Sequence, residues 1–289
     1  MLGSRLTDIM AGHRRKARLG EALLCLLGMA GAAGSAAQSE TAGQLIDRVL
    51  SNRLSSFSGH ARLVRFDAKT GKEETKRLVL KVRREGNTTK VLYQIVSPAP
   101  AAGQAVLLEL EDKRPARGVL VEGPDRITSL TPRIMEQPFF GSDLRIEDLT
   151  DDFLHWPDPE IVGNEMILGC LCRIIESRPP AGTETGYLLV RSGVCPRMAL
   201  PLRVERVGRD AKLTRTLKVE RAAKADRDHW TARSLSVTLP DRNSRTLLEG
   251  TSFDRDAIVP AADFELKVIC AAFKQSPDAK GSSRKVPHP

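Results

Sequence analysis

The hydrophobic positions near the start of the chain follow a helical repeat. Between Thr41 and Phe57 the apolar residues recur three and four positions apart, and charged residues fall between them. The apolar positions are Leu45, Ile46, Val49, Leu50 and Leu54. This spacing places them on one face, so the segment is predicted to form one amphipathic helix that packs against a larger core.

Beyond this helix the pattern changes from helical spacing to alternation. Valine, leucine and isoleucine alternate with lysine and arginine in short runs, which is typical of β-strands with one wet face. The predicted strands lie at residues 59–67, 76–84, 89–98, 103–111, 117–123, 165–178, 185–194, 200–208, 214–222, 229–240 and 244–253. Short glycine-containing turns between them favour antiparallel neighbours. Strands do not alternate with helices, which argues against a doubly wound parallel sheet.

The pattern therefore predicts a mainly β (α+β) fold. We expect one strongly curved, open antiparallel sheet of about ten strands, with the N-terminal helix and further short helices on one side. Residues 38–273 contain no linker-like stretch, so they are predicted to form one domain.

The two ends of the chain differ from this domain. Residues 1–37 contain a basic run, then an apolar stretch shorter than the ~20 residues that span a bilayer, then small residues up to Ala37. This is the layout of a signal peptide, so we expect export and cleavage after Ala37, with an uncleaved anchor as the alternative. Residues 274–289 are polar, basic and rich in Pro, Gly and Ser, and are predicted to be disordered.

Composition and motifs exclude several classes of function. The formal net charge of +9 is spread along the chain and only 4% of residues are aromatic. A nucleic-acid-binding protein would concentrate basic side chains and aromatic platforms on one surface, so no nucleic-acid partner is predicted. The sequence also lacks the common nucleotide-binding, hydrolase and zinc-protease motifs, and neither a cofactor nor a metal is predicted.

Four cysteines follow the predicted cleavage site. They are Cys170, Cys172, Cys195 and Cys270. Their spacing does not match a zinc site, and an oxidising compartment favours disulfides. We expect at least one disulfide, with Cys170 or Cys172 facing Cys195 across a hairpin. Buried free thiols are the alternative.

The stretch FFGSDLRIEDLTDDF holds the strongest local signal for function. It contains five carboxylates in ten residues: Asp143, Glu147, Asp148, Asp151 and Asp152. Ser142 or Asp143 can cap a helix by accepting a hydrogen bond from its first turn, so a short helix with a wet acidic face is predicted. A calcium loop is disfavoured because apolar residues occupy the positions of its ligands and glycine. A hydrolase with paired carboxylates remains as the alternative.

The same stretch resembles a hallmark of the outer-membrane lipoprotein-sorting protein family, whose members are similar to the lipoprotein carrier LolA. The matching pattern F-x-G-S-D-x-x-x-E-D-L consists of Phe139, Gly141, Ser142, Asp143, Glu147, Asp148 and Leu149. Leu144 and Ile146 stand where the family usually has aromatic residues. The likeness continues collinearly through Trp230 and Phe264, and covers residues 40–270.

The resemblance implies an open half-barrel around an apolar cavity, with helices as a lid and no catalytic role. Such a cavity binds the acyl chains of lipids or lipoproteins. Lys81 and Gln94 mark the wetter face of their strands, so the opposite face is assigned to the cavity. The predicted lining is Leu78, Leu80, Val82, Val91, Tyr93 and Ile95. The alternative is that these side chains form a filled core.

The function expected from the resemblance is that of an exported, monomeric periplasmic carrier or chaperone. It would act in outer-membrane lipoprotein sorting or lipid transport, and would receive its cargo from an inner-membrane transporter. The alternative on the same fold is a periplasmic regulatory sensor, similar to binders of anti-sigma factors such as RseB. Those proteins bear an additional C-terminal domain, which the sequence after residue 273 is not expected to supply.

Overall fold

The computed structural model of the protein describes residues 40–52, 56–111, 114–255 and 257–275. The predicted signal peptide, and all but the first two residues of the predicted tail, lie outside these ranges. Within them, no helix has both the length and the apolar character needed to cross a membrane.

The described residues contain thirteen strands, which form one antiparallel sheet. The strands are β1 Phe57–Asp67, β2 Lys72–Glu85, β3 Thr88–Ser97, β4 Ala105–Glu111, β5 Arg117–Gly123, β6 Arg126–Ser129, β7 Glu160–Ile167, β8 Cys170–Ser177, β9 Tyr187–Cys195, β10 Leu200–Gly208, β11 Leu213–Lys224, β12 Trp230–Thr238 and β13 Ser244–Asp254. Their order is β6-β5-β4-β3-β2-β1-β13-β12-β11-β10-β9-β8-β7. The edge strands β6 and β7 do not pair with each other, so the sheet is not closed into a barrel.

The predicted class, a mainly β fold with one open antiparallel sheet, is confirmed. Two differences raise the strand number above the expected value of about ten. The edge strand β6 is exposed along its whole length and shows no apolar alternation. The segment 165–178 is divided between two strands, because Leu168 and Gly169 adopt left-handed backbone angles with φ of 49° and 69°. Glycine reaches this region without steric cost, so the turn forms at Gly169.

The connection between β6 and β7 crosses the sheet from one edge to the other. These strands are consecutive in the chain but lie at opposite edges, so residues 130–159 have to run along one face of the sheet. We call this segment the strap, and the face that it crosses the inner face. The strap contains helix α2 (Pro132–Met135) and three 3₁₀ turns, Phe139–Gly141, Ile146–Leu149 and Asp152–His155. The acidic motif therefore lies across the middle of the molecule.

The N-terminal helix α1 (Ala42–Ser51) also packs on the inner face. Thr41 and Gln44 form a capping box, in which each side chain accepts a hydrogen bond from the backbone N–H of the other. The predicted apolar stripe, as far as Leu50, packs against the strap and the strands β8–β10. Leu54, the last residue of the predicted stripe, lies outside the described residues.

The C-terminal segment covers part of the outer face, which the alternation predicted to be wet. Helix α3 (Leu266–Ala271) follows a 3₁₀ turn at Ala261–Phe264. Val259, Phe264 and Ile269 pack against an apolar patch that β3, β4 and β5 present on this face. The segment thus acts as an outer layer over these three strands.

Lys81 and Gln94 hold this layer in place, so the outer face at these two positions is less exposed to water than the alternation predicted. Lys81 Nζ lies 2.8 Å from Asp263 Oδ2, and Gln94 Nε2 donates to the Ile269 carbonyl at 3.0 Å. Both side chains do point away from the inner face, as the alternation required. The difference arose because a polar residue marks a face as wet only when no later segment of the chain covers it.

A disulfide joins the start of β8 to the end of β9. It links Cys170 to Cys195, which is one of the pairings that the sequence left open. Cys172 is a buried free thiol and Cys270 is a half-buried one. Burial raises the pKa of the Cys172 thiol, which disfavours the reactive thiolate.

Candidate functional site

The first anchor of the strap is Asp143, whose side chain is fully buried. Its two carboxylate oxygens accept hydrogen bonds from the Ser244 hydroxyl at 2.7 Å and the Thr246 hydroxyl at 2.8 Å, both on β13. The Asp143 backbone N–H donates to Thr246 Oγ1 at 2.9 Å. Arg65 on β1 supplies the nearest positive charge, with Nε 3.8 Å from Oδ1. Asp143 therefore fastens the strap to the middle of the sheet.

The second anchor is a buried ionic cluster around Asp148. Arg206 Nε on β10 lies 2.8 Å from Asp148 Oδ1, and Arg215 Nε on β11 lies 3.2 Å from Oδ2. These contacts are charge pairs and not directed hydrogen bonds, because the three atoms Asp148 Oδ1, Arg206 Nε and Arg215 Nε have no aligned hydrogen-bond partner. The aligned bond to Asp148 comes from the Arg145 backbone N–H, at 2.8 Å from Oδ2.

Glu147 joins the same cluster from the neighbouring position. It accepts a hydrogen bond from the Tyr187 hydroxyl, which also contacts Arg215. The guanidinium of Arg206 lies over the Tyr187 ring, 5.0 Å from its centroid. Burial by itself would lower the pKa of Arg206, but the negative charges of Asp148 and Glu147 raise it. Burial also raises the pKa of Tyr187, so its hydroxyl keeps its proton and can donate.

These contacts correct the prediction of a capped helix with a wet acidic face. Asp143 does not cap a helix, because its carboxylate accepts hydrogen bonds from strand β13. Asp148 is only 6% exposed, and its carboxylate contacts two arginines and not water. Asp148 has the capping role, through the Arg145 N–H at the first turn of Ile146–Leu149. The other motif residues support these anchors. Gly141 has a left-handed φ of 73°, and buried Ser142 accepts from the Leu144 N–H at 3.2 Å.

The apolar residues of the strap fill the inner face on both sides of the anchors. Phe139, Leu144 and Ile146 pack over β1–β4, with Leu149 at the border of this cluster. Leu144 and Ile146 are each 1% exposed, so they occupy fully packed positions without aromatic rings. Phe153 contributes to the other cluster, beneath α1. The strap therefore fills much of the inner face, and open space remains only where its side chains do not extend.

A cavity of about 760 Å³ remains on the inner face, between α1, the end of the strap and the strands β2–β4. Its apolar lining consists of Val49, Leu50, Phe57, Leu80, Val82, Val91, Tyr93, Leu110, Leu149, Ala199, Leu200, Pro201 and Trp230. Its polar lining consists of Asp47, Ser51, Asn52, Arg84, Thr89, Thr150, Asp151, His155 and Thr231. The volume is within the ~300–1,000 Å³ typical of small-molecule sites.

The register of β2 and β3 defines the depth of the cavity. The pairs Arg84–Thr89, Val82–Val91 and Leu80–Tyr93 line it in succession from the hairpin turn inward. The next pair, Leu78 and Ile95, is 0% and 1% exposed and lies in the filled core beneath the strap. Four residues along a strand at ~3.3 Å each give a depth of about 13 Å from Arg84 to Leu80. The ring of Phe139 packs edge-on against the ring of Tyr93, with 5.3 Å between the ring centroids.

The six residues assigned to the cavity from sequence therefore divide into two groups. Leu80, Val82, Val91 and Tyr93 line the cavity, whereas Leu78 and Ile95 belong to the filled core. All six share the predicted face, because the alternation was read correctly. The alternation could not show how far the strap extends over the inner face, and this extent decides where the cavity ends. That the four lining residues bind a lipid stays a prediction.

The C-terminal end of α1 is fixed at the rim of the cavity by Asn52. Its Nδ2 donates to the carbonyls of Ala199 at 3.2 Å and Trp230 at 2.9 Å. These residues belong to the β9–β10 and β11–β12 ends of the sheet, so one amide joins the helix to two turns.

A second, smaller cavity of about 280 Å³ lies on the other side of the strap. It is lined by Phe153, Trp156 and several carboxylates, among them Glu147 and Asp152. Burial raises the pKa of Asp152, and hydrogen bonds from Ala116 and Thr150 partly offset this effect. Among the described residues, no three His, Cys, Asp or Glu side chains are grouped so that they could hold a metal ion.

Sequence reasoning missed the basic partners of the acidic motif. In β10 the residues Leu202, Val204 and Arg206 alternate, which places an arginine on the inner face. An arginine in an inward position is costly unless it is paired with an acid. Arg206 was therefore a detectable signal that the acidic motif has a buried counter-charge. Arg215, on the neighbouring strand, is 2% exposed and is explained in the same way.

Solved structures share the arrangement of this sheet. A DUF1329 family protein from Desulfovibrio piger is 22% identical, with a TM-score of 0.71 over 78% of this chain and 97% of that chain. An outer membrane lipoprotein-sorting protein domain from Vibrio parahaemolyticus is 18% identical, with a TM-score of 0.71 over 79% and 97%. A LolA superfamily protein from Nitrosomonas europaea is 15% identical, with a TM-score of 0.60 over 78% and 97%.

These likenesses, together with the open sheet and the cavity under its helix and strap, define the fold as LolA-like. The chain belongs to the family whose model, described as "Uncharacterized protein", matches residues 87–269, which is more than half of its length. A comparison with curated sequences gave no significant match. The resemblance noted in the sequence is thus confirmed at the level of the fold.

Proposed function

We propose that this protein is an exported carrier or chaperone that binds the acyl chains of lipids or lipoproteins in the 760 Å³ cavity. The observation that carries the proposal is the continuous apolar wall of Leu80, Val82, Val91 and Tyr93, which lines the open space of this cavity. A concave, mostly apolar site with a few polar groups at its rim is typical of ligand binding.

The energetics of burial support an acyl chain as the cargo. Each buried methylene contributes about 0.8 kcal/mol, so ten of them contribute roughly 8 kcal/mol before the costs of association. The apolar wall supplies this affinity without any reacting group. Sorting of lipoproteins or transport of lipid between membranes needs binding and release only, and an inner-membrane transporter would be the donor of the cargo.

The carboxylates of the acidic motif are paired within the fold, which supports a carrier in preference to an enzyme. Asp143 is saturated by two hydroxyls, and Asp148 is neutralised by Arg206 and Arg215. A hydrolase with paired carboxylates needs two of them free to face one substrate. The motif acids instead explain why the strap holds its position above the sheet.

The disulfide supports export to an oxidising compartment such as the periplasm. Disulfides persist in secreted and periplasmic proteins and are rare in the cytosol. The Cys170–Cys195 bond therefore agrees with the signal-peptide prediction for residues 1–37.

Native mass spectrometry of the protein purified from a bacterial periplasm tests the proposal. We expect a co-purified species whose mass matches a lipid, and saturable binding of a fluorescent fatty acid by the delipidated protein. A protein that carries no lipid and binds no fatty acid at micromolar concentrations would contradict the carrier function. Intact mass in the same experiment reports whether residues 1–37 have been removed.

A further inference from the structure

The charged groups along the cavity are unequally distributed. Asp151 belongs to its inner part, where its charge adds to the burial that raises the pKa of Tyr93. Arg84 occupies the opposite end, two residues beyond Val82 and next to the turn that joins β2 to β3. Arg84, Val82 and Leu80 share one face of β2, so a chain lying along the apolar wall would end at the guanidinium.

The guanidinium of Arg84 has no hydrogen-bond or ion-pair partner among the residues that the structure describes. Its backbone N–H alone is engaged, with Ser56 Oγ at 3.2 Å. The neighbouring Arg83 points to the outer face, where Nε lies 2.5 Å from Glu85 and Nη1 donates to the Val259 carbonyl at 2.6 Å. The strand thus uses one arginine for structure and leaves the other at the mouth of the cavity.

The size of the cavity limits how many chains it holds. A methylene group occupies about the same volume as a water molecule, roughly 30 Å³ in the liquid. A volume of 760 Å³ therefore corresponds to roughly 25 such groups. One long acyl chain with part of its head group fills this space, and two sixteen-carbon chains, roughly 32 such groups, exceed it.

We infer that the cavity selects a single-chain amphiphile with an anionic head group, a carboxylate or a phosphate, which Arg84 binds. This inference rests on the proposed function and specifies its ligand. The forked donors of arginine match carboxylate and phosphate oxygens in a two-point contact. The competing occupant is a cationic amphiphile, because Asp47 on α1 also lines the cavity with an exposed carboxylate.

The test compares probes that share one chain and differ in the head group. Palmitate, hexadecanol and hexadecylamine are titrated below their aggregation limits against the full-length mature protein, in competition with a fluorescent fatty acid. 1-Palmitoyl-lysophosphatidate then distinguishes phosphate from carboxylate, and dipalmitoyl-phosphatidate tests the limit to one chain. The variants are Arg84→Gln, Asp47→Asn, and Arg77→Gln as a control on the outer face of the same strand.

We expect palmitate or the lysophosphatidate to bind best, and the two-chain phosphatidate to bind at least tenfold more weakly. Arg84→Gln should weaken the anionic probe about tenfold or more, as for a lost charge-assisted hydrogen bond, and leave hexadecanol unchanged. Arg77→Gln should change neither. Three results would overturn the inference. They are equal binding of all three head groups, a preference for the amine that Asp47→Asn weakens, and tight binding of the two-chain lipid. Failure of every probe would instead contradict the proposed function.

Discussion

At the scale of single residues, the acids of the motif act as buried fasteners. Asp143 holds the strap to β13 through two hydroxyls, and Asp148 holds it to β10 and β11 through two arginines. Each anchor leaves polar partners without compensation when the carboxylate is removed. Buried polar groups that lose their partner cost far more than a lost surface contact.

Replacement of either anchor should therefore destabilise the protein strongly. Asp143→Ala and Asp148→Ala are each expected to lower the free energy of unfolding by about 3–5 kcal/mol, as for one broken partner of a buried pair. A helix cap would account for only about 1 kcal/mol at Asp143. Urea unfolding provides the measurement, with Glu122→Ala, an exposed carboxylate on β5, as the control within about 0.5 kcal/mol of wild type. A small loss at both anchors would contradict their fastening role.

The buried carboxyl of Asp152 should make the stability of the protein depend on pH. Burial raises its pKa above the ordinary 3.8, so the folded protein binds this proton more tightly than the unfolded chain does. The stability from the protonated carboxyl is complete below pH 3.8 and is lost as pH rises through the raised pKa. Asp152→Asn cannot ionise, so its stability relative to wild type should increase between pH 3.5 and pH 7. A difference between the two proteins that does not change with pH in urea unfolding would refute this assignment.

At the scale of elements, the strands were far more predictable than the segments that cover them. The alternation identified the inner face of β2 and β3 correctly, because side chains on a strand alternate whatever surrounds the sheet. It could not show that residues 257–271 cover Lys81 and Gln94, nor that the strap fills the space at Leu78 and Ile95. These are long-range contacts, and no local spacing reports them. The acidic motif was located from sequence, but its role depends on Arg206 and Arg215, which are distant along the chain.

The outer layer at the C-terminus should contribute substantially to stability. Phe264 is 5% exposed and packs on the outer face of β3–β5, so Phe264→Ala is expected to cost about 3–5 kcal/mol. Leu266, two residues later, is 39% exposed, and Leu266→Ala should cost much less. Chemical denaturation measures both, and hydrogen exchange should show faster opening of β3–β5 in the first variant alone. Similar losses in the two variants would mean that the segment is not a packed layer.

At the scale of the whole molecule, the strap and the sheet together decide where open space remains. The anchors hold the strap against β10, β11 and β13, its apolar residues fill the middle of the inner face, and the cavity opens beside it toward the β2–β3 turn. The same strand thus passes from a filled core at Leu78 to a cavity wall at Leu80 within two residues. This boundary distinguishes a sheet that keeps an open cavity from one whose inner face is filled throughout.

The most direct test is the affinity of Leu80→Asp for a fluorescent fatty acid, with Leu78→Asp as the matched control. Leu78 is fully buried, so an unpaired charge there should unfold the protein. At Leu80 the charge can reach water through the cavity, so the variant should fold, with a cooperative unfolding transition, and should bind the fatty acid at least tenfold more weakly than wild type. A folded Leu80→Asp protein that binds the fatty acid as tightly as wild type would contradict the assignment of this cavity as the acyl-chain site.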